Sequence, residues 1–147
     1  MRVSAIALSL LAFLLTFSGA RAETRVALVI GNGAYRNIPA LTNPANDATD
    51  VATALKRLGF DTILATDQDK AGMEDAEIRF ARAASSADVA MFYYSGHALQ
   101  FAGINYLAPV DLQLTDETDL KRWLSLVHED EFPLGNFHLN LKRKLAS

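Results

Sequence analysis

The stretch "VAMFYYSGH", Val89 to His97, decides the fold. Its first six residues carry no charge and do not alternate polar with apolar. They form a run of strand length, bounded by Ser95-Gly96. Antiparallel strands with one wet face read as alternation, whereas parallel strands covered on both faces read as continuous apolar runs. Val89 to Tyr94 is therefore expected to be a buried strand of a parallel sheet, and His97 stands at its carboxyl end.

Two more runs upstream fit the same sheet. "VALVI", Val26 to Ile30, ends at "GNG", and "FDTILA", Phe60 to Ala65, follows Gly59. Helical patterns separate them. Asn43 reads as an N-cap with Pro44 at the first helical position. Val51, Leu55 and Leu58 then share one helix face, and Gly59 supplies the stop. Met73, Ala76, Phe80 and Ala84 make a second amphipathic stripe. Strand–helix–strand–helix–strand at this spacing predicts an α/β doubly wound layout with right-handed crossovers. Past His97, "LQFAGINYLAP" reads as a hairpin turning near Ala102-Gly103. "DETDLKRWLSL", Asp116 to Leu126, opens with acids like a helix start.

After Leu126 the pattern stops. Residues 127–147 carry no sustained period, Pro133-Leu134-Gly135 breaks them, and no fourth parallel strand can be read there. A third strand without its neighbour would be an uncharged open edge. Losing about five buried side chains forfeits roughly 8–15 kcal/mol, against a net domain stability of about 5–15 kcal/mol. A free-standing binding module is not expected to be built this way, so the expectation is a truncated or frame-disrupted chain, with a sheet incomplete on its C-terminal side and a divergent tail over 127–147.

At the other end, residues 1–22 read as a secretory signal peptide. Arg2 is followed by the apolar stretch Ala5 to Phe17, and Ala20 and Ala22 give the spacing signal peptidase accepts before Glu23. The stretch is shorter than the ~20 residues of a spanning helix. The expected address is exported, periplasmic or secreted. The remaining chain makes one domain, residues 23–126 plus the tail. Without Arg2 and Arg21 it holds 12 of the 14 Lys and Arg against 17 Asp and Glu. That acidic mixture argues against nucleic-acid binding.

Three chemistries fail on spacing. "GNGAYR" lacks the third glycine of a dinucleotide loop, and Pro39 and Pro44 keep a helix from starting there. Its glycines are expected in a tight turn. Ser95 and His97 are two apart, with no nucleophile elbow. His97, His128 and His138 show no zinc spacing. No cofactor and no metal is expected. His97 survives as a candidate, at the strand edge where ligands collect in open α/β sheets. A histidine hydrogen-bonded in a loop is the plainer account.

"RVALVIGNGAY", "LTNPANDATDVATALKRLGF" and "FYYSGHALQFAGINYLAPVD" together resemble the caspase-like cysteine peptidases, specifically the bacterial relatives of metacaspases. The likeness runs from about Arg25 to Leu126, in the family's order. It implies a caspase-like parallel-sheet α/β sandwich and a cysteine endopeptidase acting on peptide or protein substrates. His97, in "SGH", corresponds to the general base. The backbone amide of Ala98 corresponds to an oxyanion donor. In "NPANDA", Asp47 corresponds to an S1-pocket acid reading Arg or Lys at P1, though an acid in a helix's first turn needs no such role. The family's nucleophile is a cysteine ending the next parallel strand, in an "LDAC"-like motif about 50 residues past the histidine. This chain has no cysteine. It is expected to be inactive alone, as a disrupted peptidase whose sheet a second chain could complete, or as a noncatalytic interaction module.

Overall fold

The computed structural model describes residues 22–101, 104–113, 125–126 and 138–141. The signal peptide expected over 1–22 lies outside them apart from Ala22. Most of the helix expected over 116–126 does too.

Seven strands and two helices are described: β1 Arg25–Gly31, α1 Pro44–Arg57, β2 Phe60–Thr66, α2 Lys70–Ala84, β3 Val89–Ser95, β4 Ala98–Phe101, β5 Ile104–Leu107, β6 Ser125–Leu126 and β7 His138–Leu141. The main sheet has the order β2-β1-β3-β7. β1 runs parallel to β2, Arg25 opposite Phe60, and parallel to β3, Arg25 opposite Val89. The two crossovers put α1 and α2 on opposite faces, the doubly wound layout read from the alternating pattern.

β1 alternates its side chains between two cores. Val26, Leu28 and Ile30 pack with Phe92, Tyr94 and the α2 stripe Met73, Ala76, Phe80 and Ala84. Ala27 and Val29 pack with Tyr93 and the α1 residues Ala48, Ala52 and Leu55. β1 is therefore apolar from Val26 to Ile30 because neither face is wet there. The small side chains at 48 and 52 let α1 come close. At the end of β1, a Cβ on Gly31 would run into the Pro44 carbonyl. Gly31 thus serves close approach rather than the expected tight turn. Gly33 does sit in a turn, its carbonyl accepting from the Tyr35 and Leu41 amides, both at 2.9 Å.

The helix ends differ from expectation in two places. Leu58 is 62 % exposed and terminates α1 instead of joining its buried face. At φ −87°, ψ 8° its backbone has left the helix, so the 3.6-residue period no longer places its side chain. Asn43 occupies the N-cap position with no side-chain capping bond, because its backbone is already helical. α2 is capped by Asp69, which accepts from the Gly72 amide at 2.9 Å.

β4 and β5 form the expected antiparallel hairpin, Ala98 opposite Leu107. Ser125–Leu126, expected at the end of a helix, pair instead with β5 as β6. The larger correction concerns the fourth parallel strand, which the tail supplies. β7 pairs with β3 from Met91↔His138 to Tyr94↔Leu141. "HLNL" is too short to announce itself, and what recruits it is the unpaired edge of an apolar strand.

Candidate active site

The parallel register puts the ends of β1 and β3 side by side, Gly31 opposite Ser95. The loops leaving both strands therefore start together at the carboxyl edge of the sheet. The Asn32 amide joins them by donating to the Ser95 carbonyl at 2.9 Å. The Asn32 side chain is fully buried and ties down two more loops. Its Nδ2 donates to the Ala108 carbonyl at 3.1 Å, and its Oδ1 accepts from the Gln68 amide at 2.9 Å.

His97 stands in this cluster, half-buried. Its Nε2 lies 2.9 Å from the Pro39 carbonyl oxygen. A carbonyl only accepts, so in the neutral ring Nε2 carries the proton and Nδ1 keeps the lone pair. Nδ1 is then the basic nitrogen. The ring also packs against Tyr35, with centroids 4.7 Å apart and planes tilted by 54°.

Two tyrosine hydroxyls hold the His97 backbone. Its N–H donates to Tyr35 Oη at 2.7 Å. Its carbonyl lies 2.9 Å from Tyr94 Oη and accepts from the Ala108 amide at 3.0 Å. The hydroxyls are 3.1 Å apart, and both reach the Ala108 carbonyl, Tyr94 at 2.9 Å and Tyr35 at 3.3 Å. Burial pushes the Tyr35 phenol above its ordinary range. Burial, then the field of Tyr35, pushes Tyr94 well above it. Both remain protonated donors near neutrality.

Ala98, exposed at the start of β4, follows from the same bonds. With His97 and Ala108 in a hydrogen-bonded position, antiparallel alternation turns the Ala98 N–H away from β5. A backbone donor one residue past the imidazole is thereby left for another acceptor. Asp47 sits in the first turn of α1, half-buried, its amide donating to the Asn43 carbonyl at 2.9 Å. Among the described residues its carboxylate makes no hydrogen bond or ion pair, to His97 or to any other group. The two share the carboxyl edge of the sheet, since α1 begins against Gly31.

Tyr35, Tyr94 and Asn32 escape sequence reasoning because they are far apart in the chain and match no spacing rule. The available signals were tyrosine hydroxyls within apolar stretches and a polar residue ending a buried strand. Among the described residues no cluster of three or more His, Cys, Asp or Glu could hold a metal ion.

The family model of the caspase domain matches residues 24–144, running on past Leu126, where the motif-by-motif likeness stops. Human mucosa-associated lymphoid tissue lymphoma translocation protein 1 is 29% identical over 127 residues, which are 84% of this chain and 15% of that protein. The mouse homolog is 28% identical over the same shares. The chain thus spans under a sixth of the length of these curated relatives.

Proposed function

The chain belongs to the caspase-domain family, and from that footing we propose that it is the base-bearing part of a caspase-type cysteine endopeptidase, exported by its leader and inactive alone. The observation that carries this reading is His97 at the end of β3, its Nε2 engaged by the Pro39 carbonyl and its Nδ1 left basic. In the reaction a cysteine thiol gives its proton to Nδ1 while sulfur attacks the scissile carbonyl carbon. The oxyanion accepts from the Ala98 N–H. On collapse the C–N bond breaks, the leaving amine takes the proton from His97, and water later hydrolyses the thioester. Asp47 reads Arg or Lys at P1 through its carboxylate, and the substrate is a peptide or protein.

The nucleophile must come from outside these 147 residues, which hold no cysteine. In relatives it ends the parallel strand beside the histidine's strand. Here β7 takes that place beside β3 and reads "HLNL". That substitution favours a second reading, a noncatalytic module for protein interaction. Pairing of β7 along four residues of β3 also weakens the stability objection to a free-standing module.

The test uses fluorogenic peptides with Arg, Lys or Asp at P1. They are offered to the chain and to a chimera in which the cysteine-bearing strand of a caspase-domain relative replaces residues 138–147. The chain alone should give no turnover. The chimera should cleave after Arg or Lys, and His97→Ala should lower the rate about 10²–10⁴-fold. A folded, active chimera indifferent to His97→Ala would refute the assignment of the base. A folded chimera without turnover would favour the noncatalytic module.

A further inference from the structure

We propose that Tyr35 and Tyr94 are positioning residues for His97, a paired-hydroxyl clamp that fixes the imidazole on the Pro39 carbonyl and aims the Ala98 amide. The inference rests on the reading of His97 as the base, and it names what holds that base in register.

The clamp grips both peptide groups flanking the His97 Cα. Tyr35 Oη accepts from the His97 N–H at 2.7 Å, and Tyr94 Oη lies 2.9 Å from its carbonyl. An ordinary hairpin would pair the His97 N–H with the Ala108 carbonyl, completing the exchange begun by the Ala108 N–H. Here Tyr35 takes that N–H instead, while the Ala108 carbonyl accepts from Asn32 and has both hydroxyls within reach. The clamp has thus replaced a ladder bond at the residue that carries the imidazole.

The hydroxyl protons can be placed. Each phenol has one, so Tyr94 donates to the His97 carbonyl, the Ala108 carbonyl or Tyr35 Oη, and Tyr35 donates to Tyr94 Oη or the Ala108 carbonyl. Every arrangement leaves Tyr35 Oη free to accept from His97. The same loop supplies Pro39, so Tyr35 and the carbonyl that sets the tautomer move as one piece. Gly96 belongs to the device as well. A Cβ there would lie 2.6 Å from Tyr94 Oη and 2.7 Å from Tyr35 Oη, so the hydroxyls occupy the space of any side chain at that position. A glycine between Ser95 and His97 is what lets both phenols reach the backbone. Tyrosines serving only the core would need one hydrogen-bond partner each and no vacated neighbour.

The test is read at the imidazole. Nitrogen NMR on the full chain, with His97 assigned through His97→Gln, reports its tautomer, and amide hydrogen exchange reports its N–H. In the native chain His97 should be a single Nε2–H tautomer with a protected amide. Tyr35→Phe keeps the ring contact and removes the acceptor. It should speed exchange of the His97 amide about five- to tenfold and admit the second tautomer. Tyr94→Phe should relax the tautomer in the same direction, while Tyr93→Phe should leave both readouts unchanged. Unaltered tautomer and exchange in Tyr35→Phe would overturn the clamp. So would mixed tautomers and an unprotected amide in the native chain, a result independent of whether any variant folds. Neither readout involves peptide cleavage. A clamp intact in a chain whose His97 never serves a cysteine would therefore refute the proposed activity and leave this inference standing.

Discussion

Gly96→Ala adds one methyl group where the two hydroxyls meet, and its cost can be worked from distances. The new carbon would lie 2.6 Å and 2.7 Å from the phenolic oxygens and 2.8 Å from Tyr94 Cζ, well inside van der Waals contact. Neither ring can yield by changing one torsion, because Tyr94 is 1 % and Tyr35 7 % exposed. Moving them breaks the bonds from the His97 amide to Tyr35, from Tyr94 to the His97 carbonyl, and between the hydroxyls. At about 0.5–1.5 kcal/mol each these amount to roughly 1.5–4.5 kcal/mol, overlapping the ~1–3 kcal/mol typical of overpacking. Equilibrium urea unfolding should therefore show a loss of about 3 kcal/mol. Deleting both hydroxyls first, by Tyr35→Phe with Tyr94→Phe, should cut the additional cost of Gly96→Ala by about half. It should not abolish it, since Cζ remains in the way. A coupling of about 1–2 kcal/mol is the signature. A Gly96→Ala variant losing less than about 0.5 kcal/mol would refute the steric reasoning, as would an equal loss in both backgrounds.

Three further outcomes follow from the same structure. Burial raises the folded-state pKa of Tyr35 and Tyr94, so above the unfolded phenol pKa of about 10 the unfolded chain releases protons the folded chain retains. Their stabilisation is complete below that pH and lost above it. Alkaline titration should show Tyr35 and Tyr94 ionising only as the chain unfolds; their smooth ionisation in the folded state would contradict this. Phe80→Ala, in the fully buried stripe of α2, should cost about 3–5 kcal/mol. Leu58→Ala, at 62 % exposure, should stay within about 0.5 kcal/mol, and thermal melts of the pair would reveal any reversal. Asp69→Ala should lose about 1 kcal/mol through the vacated N-cap, and Asp69→Asn should retain most of it.

The parts of this molecule legible in its sequence are those with a local cause. Val89 to Tyr94 reads as doubly buried because it lacks alternation, and the α2 stripe reads true because period and burial coincide over a whole helix. Leu58 misleads because periodicity is blind to where helical backbone stops. β7 is invisible because four residues of "HLNL" carry too little pattern, and their strand state is fixed by the distant edge of β3. For the candidate site, the position of His97 at a strand end could be read from the run before it. What surrounds His97 could not, since Tyr35, Pro39 and Tyr94 converge only after the parallel register has set Gly31 against Ser95.

That register also constrains how fast the chain can find its native state. Arg25 must meet Phe60 on one side and Val89 on the other, and Met91 must wait for His138. No ladder of the main sheet can nucleate from a hairpin, because β1–β2 and β1–β3 each close over at least one helix and β3–β7 closes over the strands β4, β5 and β6. Helices α1 and α2 can flicker into existence in microseconds, but they have no sheet to dock on until those closures succeed. Folding is governed by non-local encounters, in the slower range of mixed α/β topologies. In the interval "VAMFYY" stands uncharged and unpaired, able to find the same stretch of another molecule. Renaturation at high concentration should therefore yield aggregate, and dilution should yield folded protein, with β3 the segment that sets the threshold between them.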